Sequence, residues 1–233
     1  MDERNEKFKI NGSVLIRYHD CGEKEVVIPA GVEVIGRYAF QKCKSITSVV
    51  IPEGVRIIEN CAFLGCKNLL KVTMPDSVEQ IGEYVFSDCK KLESVNLSRG
   101  IKDTIDYTIF YNCKKLKNLT IPAWVQFTQE FLLGMNSLET VTIEEGITEI
   151  PDSAFFMLKK LKKVVLPQST VIIGEFAFAN CKNLECINIP DGVKVIRRMS
   201  FYNCKKLLQI SIPKSCEIEH NAFANTKTMA TRT

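Results

Sequence analysis

An aliphatic residue, usually followed by Pro, returns nine times at a nearly constant interval: Ile28, Ile51, Met74, Leu97, Ile121, Ile143, Leu166, Ile189 and Ile212. The steps are 23, 23, 23, 24, 22, 23, 23 and 23 residues. A period in the twenties marks a solenoid, in which each unit is one supersecondary element that buries its apolar face only against its neighbours. Such a chain has no central core whose growth stops, so its 233 residues are expected to form one elongated unit.

A second column keeps the same register at Phe40, Phe63, Phe86, Phe110, Phe131, Phe155, Phe178, Phe201 and Phe223. Between the columns, Leu-x-x-Val-x-Ile alternates at period two, so pairs such as Val49 with Ile51 and Val72 with Met74 point inward from one short strand. Pro52, Pro75, Pro122, Pro167, Pro190 and Pro213 then remove a backbone donor and end the pairing. From Ile-Gly to Cys, as in residues 173–181, apolar groups fall about one helical turn apart, which predicts a short helical or 3₁₀ turn on the outer side. The expected fold is an α/β repeat: a right-handed solenoid of about nine rungs, each with one short parallel strand and one short helical or 3₁₀ turn.

Residues 1–22 differ. Two strand-like runs joined by Asn11-Gly12 predict a hairpin that covers the open end of the first rung. Residues 23–229 hold the nine rungs, and 230–233 read as a polar tail. No tenth strand is expected, which leaves the carboxyl end weakly capped or covered by a partner.

The recurring Leu-x-x-Val-x-Ile-Pro-x-x-Val-x-x-Ile-Gly-x-x-Ala-Phe-x-x-Cys resembles the repeat of BspA-like leucine-rich repeat proteins over roughly residues 24 to 229. The resemblance implies a leucine-rich repeat horseshoe, of a kind often found on bacterial or protist surfaces and used for adhesion or protein binding. It does not imply an enzyme.

The residues themselves point the same way. Phosphate-loop, dinucleotide, zinc-protease and nucleophile-elbow motifs are absent. His19 and His220, the two histidines, are expected to lie on the order of 40 Å apart at about 4.8 Å per rung, too far to share a site. No catalytic residue, cofactor or metal is assigned. Of ten cysteines, six (Cys43, Cys66, Cys89, Cys113, Cys181 and Cys204) sit three residues after the ladder Phe, where other rungs carry Gly134, Leu158 and Thr226. A slot that accepts Cys, Leu or Gly reads as a small buried position holding reduced thiols, and identical ligands spread along a ladder do not converge on a metal. The polar first residues form no secretory signal, and no apolar run is long enough to span a membrane. The chain as it stands is expected to be cytoplasmic, the alternative being a cell-surface or secreted protein whose leader was removed.

What remains is surface. Outward positions of the strands form two columns of small, polar or β-branched residues, among them Lys71, Thr73, Asn96, Asn118, Thr120, Thr140, Thr142, Lys163 and Asn188. This strand face is the expected contact surface for a protein partner, as concave solenoid faces often are. The residue after the Cys slot is lysine at Lys44, Lys67, Lys90, Lys114, Lys159, Lys182, Lys205 and Lys227, a basic stripe on a chain whose net charge is only +4. It offers an alternative, the binding of a polyanion or acidic surface, although the lack of interleaved aromatics argues against nucleic acid. End-to-end self-assembly is a third possibility. The fifth rung is irregular, with Trp124, Phe127 and Phe131 either a local binding bump or a repacked core.

Overall fold

The computed structural model describes residues 7–102, 105, 107–123, 125, 132 and 135–233. Two compact units divide the chain, Met1–Leu116 and Lys117–Thr233, where the repeat pattern marks no break. Trp124, Phe127 and Phe131 lie outside the described residues.

In the first unit the alternating segments form β3 (Glu25–Val27), β5 (Ser48–Val50), β7 (Lys71–Thr73) and β9 (Ser94–Val95), parallel to one another. Val26, Val49, Val72 and Val95 share a register, and all four are buried. The second unit repeats the arrangement with β10 (Asn118–Ile121), β11 (Thr140–Ile143), β13 (Lys163–Val165) and β15 (Cys186–Ile187).

Each unit also carries a second parallel sheet, for which the sequence shows no alternation. After the Pro turn the chain pairs again, as β4 (Val34–Ile35), β6 (Ile57–Ile58) and β8 (Gln80–Ile81) in the first unit. The counterparts in the second unit are β12 (Glu149–Ile150), β14 (Ile172–Ile173), β16 (Val195–Ile196) and β18 (Glu217–Ile218). Two residues per strand are too few to show alternation, so this column had no period-two signature.

The corner after the second strand is where a helical or 3₁₀ turn is predicted, and there the expectation is corrected. Among the described residues 3₁₀ backbone occurs at Tyr107–Phe110 and at Leu132, both in the irregular middle of the chain, and in no other corner. Elsewhere the backbone alternates: the amides of Ala39, Gln41 and Cys43 donate to carbonyls three residues back, while those of Tyr38, Phe40 and Lys42 donate across to Asn60, Ala62 and Leu64 of the next rung. The corner from Gly174 to Cys181 does the same, with Phe176, Phe178 and Asn180 donating to Arg198, Ser200 and Tyr202. Tyr38 and Lys42 sit at φ of 62° and 57°, in the left-handed region that no helix continues through. The sequence trace is the residue before the Cys slot, which is Gly65, Asp88, Asn112, Asn180, Asn203 and Asn225 in six rungs, types that tolerate positive φ.

Between the sheets and the corner lies the core. The ladder rings stack at centroid separations of 4.7 Å (Phe40–Phe63), 5.5 Å (Phe63–Phe86) and 5.9 Å (Phe86–Phe110) in the first unit. In the second, Phe155, Phe178, Phe201 and Phe223 stack at 4.9, 5.2 and 5.1 Å. Burying one such side chain is worth about 1.5–3 kcal/mol. The column Val32, Val55, Val78, Ile147, Thr170 and Val193 is likewise buried, and Thr170 stands out because its Oγ1 has no hydrogen-bond partner.

Both ends are built. β1 (Phe8–Asn11) pairs antiparallel with β2 (Val14–Tyr18), and β2 joins β4 in parallel, so the hairpin continues the second sheet. Tyr18 extends the ring ladder, 5.1 Å from Phe40. At the other end the expected absence of a tenth strand is corrected: β19 (Met229–Arg232) lies parallel to β17 (Gln209–Ile212), with Gln209 opposite Met229 and Ile212 opposite Arg232. Residues 230–232 therefore belong to a strand, and the argument for end-to-end assembly through a bare ninth rung loses its premise.

The thiols of Cys66, Cys89, Cys113, Cys181 and Cys204 donate to the ladder-Phe carbonyl of the preceding rung at 2.9–3.2 Å. The neighbouring thiols Cys43 and Cys89, together with burial, hold the Cys66 thiol well above its ordinary range. Burial pushes Cys204 up to about 12. Thiolate is the reactive form, so these groups are inert at neutral pH. All ten cysteines are free, with only Cys21 and Cys186 exposed.

Two outcomes follow. A thiol reagent at neutral pH is expected to modify Cys21 and Cys186 alone in the folded chain and all ten cysteines in denaturant; rapid labelling of any ladder cysteine while folded would contradict the packing. Thr170→Val, which gives this rung the residue found at Val55 and Val78, should raise the unfolding free energy by about 1–3 kcal/mol in urea titrations by removing an unpaired buried hydroxyl.

Candidate functional site

Strand geometry places the predicted contact residues in register. In the second unit Asn118, Thr140, Lys163 and Cys186 occupy one row, and Thr120, Thr142 and Val165 the next, with neighbours about 4.8 Å apart. In the first unit Lys71 lies between Ser48 and Ser94, and Thr73 lies beside Val50, whose neighbour Val27 is 65% exposed. Asn96, just past β9, is exposed. Outward direction follows from the strand period, because the intervening Val, Leu and Ile are buried.

The side chains of Lys71, Thr73, Asn96, Asn118, Thr120, Thr140, Thr142 and Lys163 form no hydrogen bond or ion pair among the described residues. Asn188 differs. Its Nδ2 donates to the Leu166 carbonyl at 2.9 Å and its Oδ1 accepts from the Leu166 amide at 2.8 Å, so the side-chain amide pairs with the neighbouring rung where β15 has ended. This residue holds the sheet together and has few groups left for a partner.

The basic edge lies on the far side of the Cys slot. Lys44, Lys67, Lys114, Lys159, Lys182 and Lys205 are exposed and Lys90 is partly so. Its turns are tied down from neighbouring rungs: Asp20 Oδ2 accepts from the amides of Lys44 and Ser45 at 2.5 and 3.0 Å, and Asn68 and Asn183 donate to the carbonyls of Lys44 and Lys159. Lys44, Lys67, Lys90, Lys159, Lys182 and Lys205 have no carboxylate partner among the described residues, whereas other columns are charge-matched. Glu79 bridges Arg56 and Lys102, and Glu139 bridges Lys117 and Lys162, each one rung apart. Aligning the rungs column by column reveals these alternating signs in the sequence; reading along the chain does not.

The charged columns and the lysine edge therefore differ in kind. Exposed pairs such as Glu79 with Arg56 contribute little stability but engage the cations of these columns with a carboxylate, which the lysine edge lacks. The strand face offers uncommitted amides, hydroxyls and two ammonium groups, and the lysine edge offers uncommitted positive charge. Neither supplies a nucleophile beside a base. His19 and His220 are both exposed, and no group of three His, Cys, Asp or Glu among the described residues is placed to hold a metal ion. No helix among those residues is long and apolar enough to cross a membrane.

A family model described as the BspA type leucine-rich repeat region, with six copies, matches residues 17–132 and 126–232. No curated protein matches the chain. Among solved structures, a leucine-rich repeat protein of T. pallidum is 24% identical with a TM-score of 0.56, over 73% of this chain and 82% of its own. One from Eubacterium ventriosum is 23% identical with a TM-score of 0.56, over 88% of this chain and 65% of its own. An internalin of Listeria monocytogenes gives 15% and 0.54, over 83% and 56%. At these identities the likeness is one of fold.

Partial burial pushes the Asp20 carboxyl up, but the amides of Ser45 and Lys44 outweigh it and hold the group below the usual range. A depressed acid stabilises the fold fully above its unfolded pKa of about 3.9, and the contribution is lost as pH falls through the lower folded value. Asp20→Ala is therefore expected to cost about 1 kcal/mol at neutral pH and progressively less below pH ~4, as read from urea midpoints across that range.

Proposed function

The chain belongs to the BspA-type leucine-rich repeat family, and from that premise we propose that it is a non-catalytic interaction module whose strand face binds a protein partner. The observation that carries this reading is the two rows of uncommitted polar side chains, Asn118, Thr140 and Lys163 beside Thr120 and Thr142, held in register on one sheet. Ordering the three threonines against a partner costs little, because short β-branched side chains have few rotamers to lose and the backbone beneath them is already paired. A partner strand or loop laid across the sheet meets donors and acceptors about one rung apart, which suits an extended polypeptide. In the first unit Val27 and Val50 add exposed apolar area beside Lys71 and Thr73. Asn188 has less to offer a partner, because one N–H and one lone pair of its amide are spent on Leu166.

The test is capture of a partner from the source cells, its purification, and titration against three forms of the protein. In one, Asn118, Thr120 and Thr142 are changed to Glu; in the second, Lys159, Lys182 and Lys205 are changed to Gln; the third is unaltered. Loss of at least about tenfold in affinity, or about 1.4 kcal/mol, is expected for the strand-face form alone, with little dependence on salt. Equal weakening by the lysine form, or none by the strand-face form, overturns the assignment.

A further inference from the structure

One place on the basic edge of the first unit is unlike the rest of it. Gly65 occupies the corner position that holds Asp88, Asn112, Asn180, Asn203 and Asn225 in other rungs. In the second unit those side chains join into a ladder: Asn203 Nδ2 donates to Asn180 Oδ1 at 2.7 Å, and Asn225 Nδ2 to Asn203 Oδ1 at 3.2 Å. In the first unit Asn112 donates to Asp88 in the same way, but at Gly65 the ladder stops for want of a side chain. A cavity of about 350 Å³ opens there, lined by Leu64, Lys42, Lys44, Lys67, Lys90 and Asp88 about Gly65. That volume lies at the lower end of the range for small-molecule sites, roughly 300–1,000 Å³.

The electrostatics are one-sided. Four lysines line the cavity and none has a carboxylate partner among the described residues, while the single acid, Asp88, already accepts from Asn112. Four cations about one concavity raise the local concentration of anions far more than the same charges spread along an edge. The Gly65 amide is spent on the Ser87 carbonyl at 2.8 Å, so recognition falls to the side chains. Lys44, Lys67 and Lys90 belong to successive rungs and are spaced about 4.8 Å apart at their backbones, which suits more than one negative group at that separation. The lysine stems and Leu64 provide an apolar wall, and no aromatic ring is present on which a base could stack.

We propose that this cavity is a binding site for a compact di- or multi-anion, specifically a sugar carrying two or more phosphate or sulfate esters. Each ester oxygen cluster meets a different ammonium, and the carbon face of the ring lies against Leu64 and the lysine stems. Binding is non-covalent and independent of the strand face.

Calorimetric titration of the full chain with a sugar bisphosphate, a disulfated disaccharide, a sugar monophosphate and inorganic phosphate tests it. Gly65→Asn is the decisive variant. Asn tolerates the φ of 72° and is the residue of four other rungs, all four lysines are kept, and the new Cβ meets only the flexible Lys42 Cγ at 3.3 Å. The expected result is binding of one or both doubly charged sugars, at least tenfold tighter than the monophosphate or free phosphate. Gly65→Asn should weaken it at least tenfold, as should Lys67→Gln with Lys90→Gln, whereas Lys182→Gln with Lys205→Gln leaves it unchanged. The phosphate and sulfate arms separate the two ester chemistries. Retained affinity in Gly65→Asn, equal loss in the Lys182/Lys205 variant, or no binding by any probe at millimolar concentration overturns the proposal. Because the Asn118/Thr120/Thr142→Glu form should bind these probes normally, failure here leaves the strand-face reading standing, and the reverse.

Discussion

Every rung depends on the next one for its hydrogen bonds. Short strands of two to four residues supply few internal partners, and in the corners every second amide points out of its own rung toward a carbonyl one repeat away. An isolated repeat would leave those donors unpaired and its apolar face wet, at a cost no single 23-residue unit can offset. Stacking removes both penalties together. The ring ladder, the inward Val and Ile columns and the thiol-to-carbonyl bonds are consequences of that spacing, since identical positions are brought to the same place one rung apart.

The same constraint sorts the side chains by what they can do. Positions inside the coil are held by packing, and variation there is narrow: Thr170 in a valine column keeps an unpaired hydroxyl, and Leu158 replaces Cys in the thiol slot. Positions outside have no such restriction, so specificity has to reside on the strand face or along an edge. On those surfaces the informative residues are the ones that depart from their column. Asn188 stays exposed but pairs sideways with the Leu166 backbone, where Asn96, Thr120 and Thr142 of its column are uncommitted. Gly65 interrupts an amide ladder and leaves four lysines around an opening. Glu79 and Glu139 each tie together two cations from the adjoining rungs.

Much of this was legible beforehand, for a physical reason. A period of 23 residues repeated eight times averages away the ambiguity of any single segment, so the rung, its first strand, the inward columns and the lysine edge could be read from the chain alone. At the corner, apolar residues one helical turn apart fit a helix as well as a pair of successive turns. Only the carbonyls of the adjacent rung decide between them. The second sheet has no periodic signal because two-residue strands carry no alternation, and β19 has none because Met-Ala-Thr-Arg has no apolar face and is held by its backbone and by the Thr231 and Arg232 side chains donating to carbonyls of the preceding rung.

The sequence by itself determined the repeat, the burial of its columns and the family, because these depend on residue type at fixed spacing. Tertiary structure alone decided which polar groups are spent and which are free. Whether an amide, a carboxylate or an ammonium is committed depends on what lies one rung away, not on its neighbours along the chain. Asn188 and Asn96 occupy the same column, and only the pairing of one of them with the Leu166 backbone separates a fastening of the sheet from an open contact.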